Sequence, residues 1–149
     1  MANDVSYTVI PYNSEAYHEA VAVRHQQLRA PHGWEFTAEE LARDADDIHL
    51  AALNGDGKVL ATVILRKLSQ QEIRLRQVAV EAARQNRGYG RGLIAFAEQW
   101  AQTNGFAEAV LYAREEAIPY YEQIGYARTE GFFEDRGVRF KRLSKPLSA

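Results

Sequence analysis

The segment from Val78 to Gly92 constrains the fold of this chain more than any other. An apolar, strand-like run at Val78–Val80 enters a glycine-rich turn, and the turn leads into apolar residues at helical spacing. The start of a helix presents backbone N–H groups that lack intrahelical partners, and the helix dipole adds partial positive charge there. The segment therefore predicts a fold of strands and helices with an anion site, suited to a pyrophosphate, at this helix start.

The residues of this turn suit it to phosphate binding. Gly88 and Gly90 have no side chains to hold phosphates away, while Arg84, Arg87 and Arg91 add positive charge. Two other nucleotide motifs do not fit. The dinucleotide fingerprint G-x-G-x-x-G needs its third glycine one residue later, and a P-loop needs a Gly-Lys-Ser or Gly-Lys-Thr. An ordinary helix cap with solvated arginines remains an alternative interpretation of the same residues.

Length and composition exclude several classes of protein. The chain has 149 residues, of which 46% are hydrophobic, so we expect residues 1–149 to form a single domain. Having no cysteine, it lacks disulfides and cysteine zinc sites, and its four scattered histidines predict no metal site. A net charge of −2 argues against a nucleic-acid binder. Because the sequence shows neither a signal-peptide pattern nor a long apolar stretch, we expect a cytoplasmic protein that does not bind membranes.

The pattern along the chain predicts seven strands and four helices. The predicted strands are Val5–Ile10, Ile48–Leu53, Val59–Leu68, Glu72–Val80, Ala107–Ala113, Tyr126–Thr129 and Val138–Leu143. The predicted helices run from a cap at Asn13 or Ser14 to Arg29, from a capping box at Thr37–Glu40 to Asp44, around Leu93–Ala101, and over Ala117–Ile124. This order predicts an α/β (α+β) fold in which helices pack on a mixed sheet.

Two motifs in the chain resemble those of the GNAT superfamily of N-acyltransferases. Gln85–Gly90 matches the signature Q/R-x-x-G-x-G/A, and Ala117–Tyr126 resembles the helix A-x-x-[FY]-Y-x-x-x-G-[FY]. The resemblance is close from about Val59 to the end of the chain. It implies a single-domain GNAT fold whose sheet is splayed between the fourth and fifth strands. It also implies that acetyl-CoA is the acyl donor, without a metal.

The resemblance assigns the residues that bind acetyl-CoA. Backbone groups of Val78 and Val80 would face the pantetheine arm, and the Val80 N–H would polarise the thioester carbonyl. Asn86 through Arg91 would hold the pyrophosphate. The implied cofactor-binding residues are Val78, Ala79, Val80, Gln85, Asn86, Arg87, Gly88, Tyr89, Gly90 and Arg91.

Tyr121 occupies the position of the tyrosine that, in many members of this family, protonates the departing thiolate. A phenol with a pKa of ~10 is protonated at neutral pH and can give its proton to a developing thiolate. Tyr120 is a competing candidate, because adjacent helical residues point about 100° apart. Each tyrosine, taken alone, also fits a core aromatic residue.

Two positions depart from the family pattern. Arg114 stands seven residues before Tyr121, where many relatives carry an asparagine that contacts the cofactor. Phe140 stands near the position of a histidine found in one subgroup. We therefore carry over neither that cofactor contact nor the subgroup's substrate.

The implied reaction is direct transfer of an acetyl group, in a ternary complex, to a primary amine of a small molecule or peptide. A lysine-like amine with a pKa of ~10.4 is protonated at pH 7, so a base or a water chain must remove its proton. Spacing singles out no base among the candidates Glu35, His49, Glu81, Glu115 and Glu116.

Several alternatives remain open at this stage. Arg24 would either bind an acidic substrate group or form a structural ion pair with its stem on the core. Trp34 would either line an acceptor pocket or cover the core. The resemblance is compatible with a homodimer. Two other functions fit the turn: a non-catalytic CoA-binding sensor or interaction module, and a binder of another phosphorylated ligand.

Overall fold

A seven-stranded mixed sheet organises residues 4–147, the part of the chain that the computed structural model describes. The strands lie side by side in the order β1-β2-β3-β4-β5-β7-β6, and β4 and β5 form the parallel pair. Their bounds are β1 Val5–Ile10, β2 Ile48–Asn54, β3 Val59–Lys67, β4 Glu72–Val80, β5 Glu108–Ala113, β6 Ala127–Asp135 and β7 Val138–Pro146. The predicted number and order of strands are confirmed.

Within residues 4–147, four α-helices accompany the sheet, as the sequence predicts. They are α1 Glu15–Arg24, α2 Ala38–Arg43, α3 Tyr89–Thr103 and α4 Ile118–Gln123. Ser14, one of the two proposed caps, accepts a hydrogen bond from the Tyr17 N–H, and the helix continues as a π-helical turn to Arg29. The capping box of α2 forms as predicted, because Thr37 and Glu40 each bond the other's backbone N–H.

Two hydrophobic clusters of the described residues hold α3 and α1 against opposite faces of the sheet. One contains Leu93, Ala97 and Ala101 of α3 with strand residues such as Leu50. The other contains Tyr17 and Ala20 of α1 with Ala51 and Val59, among others. Because neighbouring strand residues point to opposite faces, Leu50 and Ala51 serve different clusters. The sheet thus has an α3 face and an α1 face.

A bulge in β4 changes this alternation beside the predicted site. Gln77 has a φ of +51°, and the pairing with β3 shifts by one residue between Arg76 and Ala79. Residues 73 and 75 belong to the α3-side cluster, and so do residues 78 and 80 beyond the bulge. A bulge inserts one extra residue and so reverses the faces of the residues that follow.

The parallel ladder between β4 and β5 is short. It joins Glu72–Arg74 to Glu108–Val110 and does not continue along the rest of β4 within the described chain. A cavity lies beyond Arg74, with residues 75–78 of β4 and 111–114 of β5 in its walls. Beyond these three residue pairs, β4 and β5 are no longer joined by the ladder, and the cavity lies at this point.

The last two strands are longer than predicted. β6 runs from Ala127 to Asp135 and β7 from Val138 to Pro146. Exposed residues dominate β6, so it lacks the half-buried alternation by which strands are recognised in sequence. Arg136 and Gly137 both have positive φ and form the two-residue turn of a hairpin.

Candidate active site

The start of α3 presents a row of free backbone amides. Gly88 caps the helix at a φ of +83°, and Asn86 before it has a φ of +65°. The first helical hydrogen bond runs from the Gly92 N–H to the Gly88 carbonyl, at 2.9 Å. The backbone N–H groups of residues 86–91 make no hydrogen bond to any described residue. We call the backbone of residues 86–91 the amide cradle, because it can bind an anion as helix starts do.

A cavity of about 600 Å³ lies against the amide cradle. Nine of the ten predicted cofactor residues line it, whereas Arg87 is exposed and does not. The lining residues among those predicted are Val78, Ala79, Val80, Gln85, Asn86, Gly88, Tyr89, Gly90 and Arg91. Gln27 and Leu28 close the cavity from the end of the first helix, a contribution that the sequence motif does not contain.

Gln85 has protein partners for its side chain. Its amide nitrogen lies 2.8 Å from the Gln27 Oε1 and 3.2 Å from the Val80 carbonyl oxygen. These bonds tie the turn to the first helix and to the end of β4. Gln85 therefore positions the amide cradle from its flank.

Two glycines of the turn are also needed for packing. A Cβ on Gly90 would lie 3.1 Å from a Val80 methyl carbon, and one on Gly92 would overlap the Tyr7 hydroxyl. The sequence interpretation gave Gly90 the single role of leaving room for phosphates. In the structure, Gly90 also allows α3 and β4 to approach each other closely.

A second cavity, of about 610 Å³, lies between β4 and β5, and we call it the gap cavity. The Glu81 N–H donates to the Leu60 carbonyl of β3 at 2.8 Å. Peptide groups alternate sides along a strand, so the N–H and C=O of Val80 point away from β3, toward β5. Val78, Gln27 and Leu28 line both cavities, so the amide cradle and the gap cavity adjoin at this point.

The two tyrosines of α4 lie in different cavities. Tyr121 lines the gap cavity, and Tyr120 lines the cavity of the amide cradle. Burial raises the pKa of Tyr121 to about 12, and the neighbouring Tyr120 adds to this effect. Within residues 4–147 the Tyr121 hydroxyl has no hydrogen-bond partner, while its ring packs edge-on against Tyr120 and Tyr126. Tyr121 thus presents a protonated hydroxyl at the gap cavity.

Of the five base candidates, Glu116 alone lines the gap cavity. Glu81 pairs with Arg84, and Glu35 pairs with His25. The His49 imidazole is buried and bonded through Nε2 to the Asp44 carbonyl oxygen at 2.7 Å. Burial lowers the pKa of His49, so it stays neutral inside the protein. His49 is therefore a structural residue.

Arg24 is a structural residue as well. It is 1% exposed, and its Nη1 lies 2.9 Å from an Asp44 carboxylate oxygen that also accepts the Tyr17 hydroxyl. Its Nε donates to the Gln77 side chain at 2.7 Å. The structure therefore supports the second interpretation of Arg24, an ion pair within the core. Through Gln77 that ion pair also holds the β4 bulge beside the gap cavity.

The side chains of the gap cavity lie far apart in sequence, so no sequence motif identifies most of them as site residues. Trp34 lines the cavity and stacks on His32 with ring centroids 4.4 Å apart. A place in a cavity wall is one of the two positions expected for Trp34 from the sequence. Arg114 and Phe140, the two departures from the family pattern, face each other there with the guanidinium 5.8 Å from the ring centroid. The lining also contains Arg29, Arg74, Arg76, Arg136, Glu40, Tyr112, Phe133 and Asp135.

Two further properties follow from the described residues. None of the helices in residues 4–147 has the length and apolar composition needed to cross a bilayer. In the same range, no three histidine, aspartate or glutamate side chains are grouped so as to bind a metal ion.

Comparison with known proteins agrees with the two sequence motifs. The sequence model of the Acetyltransferase (GNAT) family matches residues 12–126. N-acetyltransferase family 8 member 3 of Rattus norvegicus is 30% identical over 69 residues, which cover 44% of this chain but only 30% of that protein.

Solved structures share the fold at low sequence identity. A candidate N-acetyltransferase from Lactobacillus plantarum superposes with a TM-score of 0.85 at 21% identity, covering 98% of this chain and 100% of that one. A GNAT acetyltransferase from Elizabethkingia anophelis, solved with acetyl-CoA bound, has a TM-score of 0.75 at 12% identity, covering 97% and 99%.

Proposed function

The chain belongs to the acetyltransferase (GNAT) family of acyl-CoA-dependent enzymes, and we propose that it transfers the acetyl group of acetyl-CoA directly to a primary amine. One observation carries this proposal. The amide cradle, which suits a diphosphate, adjoins a cavity between two parted strands, which suits an extended amide chain. An ordinary helix cap would not require a cavity between two parted strands. The acceptor is a small molecule or peptide that reaches the gap cavity.

The amide cradle binds the diphosphate through main-chain donors. The N–H groups of residues 86–91 need acceptors, and the α3 dipole favours negative charge at the same point. Arg84 and Arg91 line this cavity and add positive charge, while Gln85 fixes the turn against β4. Arg87, exposed outside the cavity, contributes at longer range.

The Val80 N–H and the Tyr121 hydroxyl carry out the chemical step. Acetyl-CoA supplies the acetyl group as a thioester. The Val80 N–H faces the parted strands and stabilises negative charge that develops on the carbonyl oxygen. Tyr121, protonated up to about pH 12, donates its proton to the departing sulfur. Glu116 or a water chain first accepts a proton from the ammonium group of the acceptor. The neutral amine then attacks the thioester carbonyl carbon, and the C–S bond breaks.

Thiol release from acetyl-CoA tests this proposal. The protein has no cysteine, so a thiol reagent detects free CoA without background from the chain. A panel of amino acids, polyamines, aminoglycosides and peptide N-termini covers the main amine classes. We expect at least one amine to release CoA together with an equal amount of acetylated product. Tight binding of acetyl-CoA without release by any amine would contradict the transfer and favour the sensor function.

A further inference from the structure

Two arginines of β4 point to the α1 face of the sheet, into the gap cavity. Arg74 and Arg76 both line this cavity, and they alternate along β4 with Ile73 and Leu75, which belong to the core cluster of the α3 face. The Nε of each arginine is buried and has no hydrogen-bond partner among the described residues. A buried N–H donor without a partner is costly, so such donors in a cavity indicate a missing acceptor.

Arg74 has no anionic partner among residues 4–147. Its guanidinium lies 4.7 Å from the ring centroid of Tyr112 and 5.3 Å from that of Phe133, and it forms no ion pair with any residue in 4–147. Contacts with aromatic faces offset only part of the cost of burying a cation. Burial accordingly lowers the pKa of Arg74, although a guanidinium keeps its proton at neutral pH.

Arg76 is only partly neutralised. Its Nη1 lies 3.4 Å from Asp47, but that carboxylate already receives two bonds of 3.0 Å from Arg66. The side chain of Arg76 is 19% exposed, and burial lowers its pKa to about 10. Arg76 therefore shares one carboxylate with Arg66, so two arginines face a single negative charge and Arg76 can also bind an anion in the cavity.

The other charges of the gap cavity do not supply the missing anion. Arg29 pairs with Glu40 at 2.6 Å and Arg136 with Asp135 at 3.1 Å, so these four groups balance each other. The remaining cations are Arg74, Arg76 and Arg114, and the remaining carboxylate of the lining is Glu116. Glu116 forms no ion pair within the described chain. The cavity thus has a surplus of arginine charge.

We propose that the acceptor amine carries a carboxylate, which Arg74 binds with the help of Arg76. This inference rests on the proposed acetyl transfer and names its substrate class: a free amino acid or a compound with the same paired amine and carboxylate. A guanidinium fork matches a carboxylate through two parallel N–H donors. The rings of Tyr112, Phe133 and Phe140 line the same cavity and contact the apolar part of the acceptor.

A comparison of matched acceptors tests the inference without altering the protein. L-amino acids are compared with their amides and their decarboxylated amines, for example L-phenylalanine with L-phenylalaninamide and phenethylamine. We expect kcat/KM for the preferred acid to exceed that of its amide by about 30-fold or more, the effect of leaving a buried charge unpaired. Equal or faster reaction of the amides, or preference for O-phosphoethanolamine, would overturn the carboxylate assignment.

Arginine variants locate the carboxylate. Arg74→Gln should reduce the acid-to-amide ratio from about 30-fold to near one by raising KM for the acid, and Arg74→Lys should restore part of it. A purely structural role would instead slow acid and amide equally. Arg128→Gln is the matched control, because Arg128 is 55% exposed and lines neither cavity. It should leave the ratio unchanged.

Binding measurements separate this inference from the proposed function. Titration calorimetry of the amino-acid panel into the CoA-loaded protein reports the carboxylate site whether or not acetyl transfer follows. Binding of an amino acid but not its amide, without thiol release, supports the carboxylate site and counts against the transfer. Turnover of uncharged amines while no amino acid binds leaves the transfer in place and overturns the carboxylate site.

Discussion

The amide cradle and the gap cavity are built by different means. The cradle is one continuous segment whose main-chain N–H groups face a ligand, so its chemistry depends on backbone conformation more than on side-chain identity. The gap cavity is enclosed by side chains from segments between residues 27 and 140, and arginines and aromatic rings dominate its walls. A conserved donor molecule suits the first construction, and a variable acceptor suits the second. Substitutions in the two regions should therefore have separable effects.

Tyr121→Phe should separate the effect on turnover from the effect on acetyl-CoA binding most clearly. This change removes the hydroxyl at the gap cavity and should lower kcat by roughly 10² to 10⁴-fold, as loss of a general acid does. The dissociation constant for acetyl-CoA, measured by calorimetry, should be nearly unchanged. Tyr120→Phe is the control and should retain most activity. Loss of activity in Tyr120→Phe but not in Tyr121→Phe would transfer the acid role to the cradle side.

Arg24→Met should lower the free energy of unfolding more than it changes acetyl transfer. The change leaves the buried Asp44 carboxylate without its cation and should cost about 3 to 5 kcal/mol of unfolding free energy. Urea denaturation measures this, and Arg128→Met at an exposed site should change it by less than about 0.5 kcal/mol. Unaltered stability with a raised KM for the acceptor would revive the substrate-binding interpretation of Arg24.

Gly90→Glu should abolish stabilisation by acetyl-CoA. At about 100 times the dissociation constant, a ligand adds about 2.7 kcal/mol of stability, or about 5 to 10 °C in Tm for a chain of this size. Glutamate places bulk and negative charge at the cradle and should remove this shift. Gly90→Ala measures the packing cost against Val80 separately, since its Cβ would lie 3.1 Å from that side chain. An unchanged shift in Gly90→Glu would argue against diphosphate binding at the cradle.

Glu40→Gln should have the smallest effect, and one that depends on pH. Bonds from Arg29 lower the pKa of Glu40 from 4.5 to about 2. A lowered pKa gives stability that is present above the unfolded value and lost as pH falls from about 5 to 2. Because the side chain is 31% exposed, we expect the variant to lose only about 1 to 2 kcal/mol at pH 7.

At pH 2 most of the stability difference between Glu40→Gln and the parent should be lost, because the carboxyl is then about half protonated in the folded chain and almost fully protonated in the unfolded chain. Urea denaturation at both pH values measures the difference. The matched control is Glu39→Gln, at an exposed neighbouring position of the same helix. A difference between Glu40→Gln and the parent that is the same at pH 2 and pH 7 would contradict the ion-pair explanation.

The contrast between the two regions also explains what the sequence could predict. Gly88 and its neighbours are recognisable because a backbone site requires glycine and a helix start within one short stretch. The seven strands and four helices follow from the sequence pattern, except for the lengths of β6 and β7. In the sequence, nothing distinguishes Arg74 from other charged residues of a strand. Its surroundings, a partly buried position without an ion pair to any described residue, depend on Tyr112 and Phe133 of later strands, which no local pattern reveals.

The β4 bulge shows the same limit. Gln77 is an ordinary polar residue in sequence, yet it adopts a φ of +51° and its side chain accepts a hydrogen bond from Arg24, 53 positions earlier. That bulge turns Val78 and Val80 toward the α3 face. Long-range side-chain contacts therefore determine the gap cavity, and local backbone preference determines the cradle.

Amide chemical shifts on adding CoA or pantetheine test the central claim most directly. Pantetheine lacks the diphosphate, so the two compounds separate the amide cradle from the gap cavity. We predict that CoA shifts the backbone N–H signals of Gly88, Gly90 and Arg91 together with that of Val80. Of these four signals, pantetheine should shift only that of Val80. Unchanged signals for residues 86–91 in the presence of saturating CoA would contradict the account.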